Sequence, residues 1–119
     1  MKKDNVVQEK SFAFAIRIVN LYKLLSTEKK EFVLSKQLLR SGTSIGANIE
    51  EAIGGQSDKD FLSKLSIAYK EARESMYWLK LLQATDFLSE DQTKGLLDEV
   101  EEICKILGKI QITLKNRNS

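Results

Sequence analysis

The sequence predicts an all-α fold, an antiparallel up-down-up-down four-helix bundle, and three observations predict it. Apolar residues recur at three- and four-residue spacing along four segments, the rhythm of one helix face. Proline is absent from all 119 residues, and only six glycines interrupt the chain. Short polar connectors separate the four segments, which makes successive helices antiparallel neighbours. The length suits one domain spanning 1–119.

The first helix is expected over 8–25, with Phe12, Ile16, Val19 and Tyr22 or Lys23 on its inward face and Ala15 and Leu24 beside them. The run Ser26-Thr27-Glu28-Lys29-Lys30 breaks the pattern, and 31–34 reads as a connector. The second helix is expected over 35–53, with Ser35 as N-cap because its hydroxyl can accept an orphan backbone N–H. Gly54-Gly55 should end it, glycine taking the left-handed conformation that closes helices. The third helix, 58–84, opens on Ser57 as cap, with Asp58 and Asp60 in the turn where the dipole favours negative charge. Its stripe is Phe61, Leu65, Ala68, Ala72, Met76, Leu79 and Leu82. The fourth, 89–114, opens on the capping box Ser89-Glu90-Asp91-Gln92. Leu96, Val100, Ile103, Leu107, Ile110 and Leu114 then hold a 4-3-4-3-4 heptad seam. The polar tail from Lys115 to Ser119 is expected to fray.

Composition removes whole classes of function. Hydrophobic residues at 42% and charged residues at 30% describe a globular chain, not a disordered one. With no histidine there is no Ser-His or Cys-His pair, no His-ligated zinc and no imidazole acid–base catalyst. The single cysteine, Cys104, cannot close an intramolecular disulfide; it beds beside Ile103 as a small hydrophobe, and the expected compartment is the cytoplasm. No apolar run is long enough to span a membrane. Carboxylates are plentiful at Glu50-Glu51, Glu71 with Glu74, and 98–102, but a di-iron site built from Glu-x-x-His has no histidine to complete it. The expectation is no enzyme, no metal and no cofactor.

The second helix carries two unusual stripes. Leu38, Gly42, Ile45, Gly46, Ile49 and Ile53 share one arc, and each interior glycine costs about 1 kcal/mol relative to alanine. Close approach of a backbone or of an aromatic such as Phe61, Tyr69 or Trp78 would account for them. Beside that arc run Gln37, Ser41, Ser44, Asn48 and Glu51, a candidate polar seam fixing register or subunit contacts, with Glu51 paired to a lysine or to Arg73.

Residues 37–52, from Gln37-Leu38-Leu39-Arg40-Ser41-Gly42 through Ser44-Ile45-Gly46-Ala47-Asn48-Ile49 to Ala52, resemble the signature of a bacterial four-helix-bundle family. Asp60-Phe61-Leu62, Ile67-Ala68-Tyr69-Lys70-Glu71-Ala72-Arg73-Glu74 and Tyr77-Trp78-Leu79 match it as well, and the resemblance spans about 8–114. That family was first noticed as proteins encoded in intervening sequences of large-subunit ribosomal RNA genes, and is often mislabelled ribosomal. The resemblance implies a homopentameric ring, in a family with no established enzymatic activity. The accessory protein of diversity-generating retroelements is similar in fold, with a strongly basic pentamer that binds reverse transcriptase and nucleic acid. The present chain is nearly neutral.

Two kinds of partner follow. In the third helix 14 of 27 residues are apolar and spread beyond one face; Leu62, Tyr69, Trp78 and Leu81 lie off its central stripe and form a candidate subunit interface. The formal charge is +2, unevenly divided. Residues 1–50 hold nine basic and five acidic side chains (+4), and 51–119 hold ten and twelve (−2). Lys29, Lys30, Lys36 and Arg40 form a candidate nucleic-acid patch, extended by Lys64, Lys70 and Lys80 across a ring. The leading expectation is a non-enzymatic oligomeric scaffold or interaction protein; the alternative is an RNA- or DNA-binding accessory protein.

Overall fold

A computed structural model describes residues 2–118, with side chains described from 6 to 117. It contains α1 (Lys2–Thr27), α2 (Leu34–Ile53), α3 (Asp58–Ala84) and α4 (Glu90–Asn118), and no strand among the described residues. Each helix packs on its sequence neighbours and α1 also packs on α4, so four rods enclose one core in a body of 48 × 21 × 20 Å.

The starts of α3 and α4 follow their caps. Ser57 Oγ accepts from the Asp60 N–H at 3.1 Å. Ser89 and Gln92 satisfy each other reciprocally, Ser89 N–H donating to Gln92 Oε1 (2.8 Å) and Gln92 N–H to Ser89 Oγ (3.1 Å). The start of α2 differs from expectation. Ser35 lies inside the first turn, buried, and Glu31 does the capping: its carboxylate accepts the N–H groups of Val33 (3.0 Å), Leu34 (3.0 Å) and Ser35 (2.6 Å). A carboxylate reaching forward meets three orphan donors where one hydroxyl meets one.

The helix ends also depart from the glycine rule. Gly54 closes α2 at φ −81°, ψ 0°, in right-handed space. The chain leaves by a tight turn in which a Cβ on Gly55 would stand 3.0 Å from the Ala52 carbonyl oxygen. Left-handed backbone appears instead at Lys30 (φ 57°) and Asp86 (φ 68°), after α1 and α3. There Glu31 N–H reaches back to Leu25 O (2.9 Å), and Phe87 N–H to Leu82 O (3.0 Å). At the C-terminus α4 continues through Asn118, with Lys115 and Arg117 in its last turn and Arg117 3.6 Å from Asp58. Cations there complement the helix dipole, which extends the helix beyond the expected 114.

The core of α4 is the expected seam, all six residues buried, joined by Thr93 and Cys104. In α3 the inward face is Leu65, Ala68, Ala72, Ser75, Leu79 and Leu82, with Phe61 and Met76 half-buried at its edge. In α2 the face turns toward Ser41 and Ala52, leaving Ile53 exposed. The expected face of α1 is corrected outright. Val7, Ser11, Phe14, Ile18, Leu21 and Leu25 are buried at 4-3-4-3-4 spacing, whereas Phe12 is 69% and Ile16 49% exposed. Two apolar stripes run along this helix, and the one interrupted by Ser11 faces inward.

Gly42 and Gly46 explain why a serine is tolerated there. A Cβ on Gly42 would stand 2.9 Å from Ile18 Cγ1 and Cγ2, and one on Gly46 3.3 Å from Ser11 Oγ. The close approach is therefore between α2 and α1, and neither Phe61, Tyr69 nor Trp78 takes part in it.

Candidate functional site

The polar seam of α2 divides when placed in the fold. Ser41 is fully buried, and its Oγ accepts from Ser75 Oγ of α3 at 2.9 Å. Ser75 Oγ also lies 2.9 Å from the Glu71 carbonyl one turn back. Ser44 and Asn48 are half-buried and bond within α2, Ser44 Oγ to Arg40 O (2.6 Å) and Asn48 Nδ2 to Ser44 O (2.8 Å). Gln37 and Glu51 are exposed, and Glu51 pairs with Lys64 at 3.2 Å. One buried serine pair thus crosses the helices, flanked by surface contacts.

Outside that pair lies a clamp. Arg40 of α2 reaches both Glu71 (3.1 Å) and Glu74 of α3, and Trp78 Nε1–H donates to Glu74 Oε2 at 2.9 Å. The indole bond, with the guanidinium beyond it, holds the Glu74 carboxyl below its ordinary range against the opposing effect of burial. Arg40's own hydrogen bond to Glu74 raises the pKa of its guanidinium. Of the candidate nucleic-acid patch, Arg40 is thereby met by two carboxylates, while Lys29, Lys30 and Lys36 stand exposed. Of its extension, Lys64 is spoken for by Glu51.

The candidate interface residues of α3 fall on two sides. Tyr69 lines a groove between α3 and α4 and lies beside Gly108, with the Arg73 guanidinium 6.0 Å from its ring centroid. Trp78 belongs to the α2 side through Glu74, its ring edge-on to exposed Tyr77 at 5.0 Å. Leu62 and Leu81 are half-buried, as are Tyr69 and Trp78.

The acids of α4 face α1, open solvent or the groove toward α3. Glu102 pairs with Lys10 (2.5 Å) and Glu99 with Arg17 (2.8 Å). No cluster of three candidate metal ligands occurs among the described residues. Cys104 is buried, and burial pushes its thiol up, away from the thiolate a nucleophile needs. No described helix is long and apolar enough to cross a membrane.

Sequence reasoning missed the outward stripe Phe12–Ile16 with half-buried Val19, the groove residue Ile112 (63% exposed), and the capping carboxylate Glu31. The 4-3 spacing of 12, 16 and 19 satisfies the helix rule as well as the buried stripe does, so spacing alone does not tell the outward face from the inward one. Nothing in the string distinguishes Glu31 from its charged neighbours.

The signature residues at 37–52 supply the α2 face that packs on α1 and α3, and the match extends far beyond them. The family model described as 23S rRNA-intervening sequence protein covers residues 3–109. The chain belongs to that family. Among solved structures, a protein of unknown function from the S23 ribosomal protein family of Bacteroides thetaiotaomicron is 57% identical. The similarity covers 92% of this chain and 97% of that one, with a TM-score of 0.90. No curated protein matches the chain. The family and its solved member are alike of uncharacterised function.

Proposed function

We propose that this family member is a non-enzymatic, cytoplasmic helical scaffold that associates with copies of itself and works through the surfaces so assembled. Within each copy the helices run up-down-up-down. Supporting that topology, Ile18 and Ser11 oppose Gly42 and Gly46, Ser41 and Glu51 oppose Ser75 and Lys64, and Gln83 and Asp58 oppose Thr93 and Arg117. The homopentameric ring implied by the family resemblance is the assembly proposed.

The observation that carries this reading is the second apolar stripe of α1. A helix that buries one seam and leaves Phe12 and Ile16 in water has a face for a partner. The accessible surface of 7119 Å² supports it, standing above the ~6,500 Å² of a typical compact monomer of this mass. The chemistry supports the non-enzymatic part: histidine is absent from the sequence and the one thiol is buried. Nucleic-acid binding draws less support, because Arg40 and Lys64 already face carboxylates.

Light scattering on the eluting protein tests the proposal. Self-association gives a mass that is a multiple of 13.5 kDa, and a single 13.5 kDa species at micromolar concentration overturns it. Filter retention of RNA at about 50 and 200 mM salt tests the alternative, which requires binding that falls steeply between them.

A further inference from the structure

The connector between α1 and α2 displays apolar side chains that the bundle does not use. Phe32 is 50% and Val33 71% exposed, at the tip where the chain turns from α1 into α2. That tip is held in place. Left-handed Lys30 turns the chain, Glu31 N–H bonds Leu25 O, and the buried Glu31 carboxylate takes the N–H groups of Val33, Leu34 and Ser35.

Cations frame the tip. Lys23, Lys29, Lys30 and Lys36 are exposed, against one exposed acid, Glu28, because the Glu31 carboxylate is turned inward onto its backbone donors. Arg40, further along α2, is met by Glu71 and Glu74. In the up-down arrangement the α3–α4 connector shares this end, and it brings exposed Asp86, Glu90 and Asp91 together with Lys80 and Lys94. The end is therefore clearly basic along its α1–α2 edge and slightly acidic along the other, so the α1–α2 edge leads toward an anionic partner.

We propose that this edge rests on an anionic phospholipid surface, with Phe32 and Val33 entering the headgroup region and the lysines meeting lipid phosphates. Peripheral contact of this kind combines apolar insertion with basic residues, since either alone binds weakly. The tip carries both within a few residues. Its backbone suits a partly dry interface, because the N–H groups of Glu31, Val33, Leu34 and Ser35 already have partners within the chain. The residue types favour lipid over the other polyanions. Protein interfaces and nucleic-acid sites favour arginine, whose planar fork fixes a bidentate geometry, whereas the exposed cations around this tip are lysines, flexible point charges that suit a fluid array of phosphates. Val33 has no ring on which a base could stack. The contact uses none of the residues assigned to self-association and stands or falls separately from it.

Vesicle co-sedimentation of the full chain tests this. Wild type is spun with vesicles of phosphatidylcholine alone and of equal parts phosphatidylcholine and phosphatidylglycerol. The expected result is binding about ten-fold or more tighter to the mixed vesicles, weakened by added salt. Phe32→Ser/Val33→Ser should lose about ten-fold on the mixed vesicles with helicity unchanged, and Lys29→Gln/Lys30→Gln about as much. Ile67→Ser, which removes an exposed apolar residue of α3, should bind as wild type. Wild type that ignores the mixed vesicles overturns the proposal, and so does an equal loss in Ile67→Ser. Loss in the lysine variant with none in Phe32→Ser/Val33→Ser overturns it as well, leaving a merely electrostatic attraction. Single-stranded RNA held on a filter by wild type and released by Phe32→Ser/Val33→Ser, with vesicle binding unchanged in that variant, overturns it in favour of nucleic acid.

Discussion

Glu31 shows how much one side chain decides. It is 8% exposed, carries a charge, and spends that charge on three backbone donors at the start of α2. Burial alone would push its carboxyl up, but hydrogen bonds from the N–H groups of Ser35, Leu34 and Val33 more than reverse that and hold it below the ordinary carboxylate range. A depressed carboxyl contributes stability above its unfolded-state value and loses it as pH falls through the folded one. Thermal melts from pH 7 to pH 3 should therefore show a steeper acid loss in the wild type than in Glu31→Gln. Equal slopes would remove the capping role. At neutral pH, Glu31→Ala should cost about 1–3 kcal/mol by denaturant titration, because it strands buried donors.

The two glycines of α2 separate a structural need from a tolerated weakness. Alanine gains about 1 kcal/mol of helix propensity at either position. At Gly42 the new methyl meets fully buried Ile18, and overpacking of about 1–3 kcal/mol outweighs the gain. At Gly46 the nearest atom is a serine hydroxyl 3.3 Å away that can rotate. Gly42→Ala should lower Tm, and Gly46→Ala should leave it near or above wild type. A reversed order would contradict the packing described.

At the scale of elements, the capping box of α4 is a local device with a local cost. Ser89→Ala removes one of two reciprocal bonds and should destabilise by about 1 kcal/mol in urea, with unchanged m-value. Where the string carried a local chemical rule, the element could be read from it: the caps at Ser57 and Ser89, the seam of α4, the span 58–84 of α3. Where two readings satisfied one rule, tertiary packing chose between them. The stripe Phe12–Ile16–Val19 is richer in large apolar groups near the middle of α1 than the inward stripe, which contains Ser11. Only the presence of Gly46 on the neighbouring helix makes Ser11 the better core residue. The polar seam was half legible for a related reason. Heptad spacing placed Ser41 on a contact face, but its partner Ser75 sits on α3 at a stripe position where the more apolar neighbour Met76 was the natural choice from the sequence. The left-handed turns at Lys30 and Asp86 that follow α1 and α3 were not legible, because lysine has no preference for that backbone and aspartate only a modest one.

At the scale of the whole molecule, surface chemistry is uneven in a way that one copy does not use. The α2–α3 side is sealed by the Arg40 clamp and the Glu51–Lys64 pair, and the α1–α4 side by Lys10–Glu102 and Arg17–Glu99. Those ion pairs cost little to expose and add at most about 1 kcal/mol each, so they finish surfaces instead of recruiting partners. Phe12, Ile16 and Ile112 are finished by nothing within the chain. Burying a large apolar side chain is worth about 1.5–3 kcal/mol, so a few such residues at the centre of a contact dominate its affinity. Sedimentation velocity on wild type beside Phe12→Asp/Ile16→Asp, across a hundred-fold range of concentration, reads this directly. The account predicts a wild-type oligomer and a double variant that sediments at 13.5 kDa with helicity intact. A wild type that sediments as a 13.5 kDa monomer throughout, or a double variant that assembles as well as wild type, would contradict it.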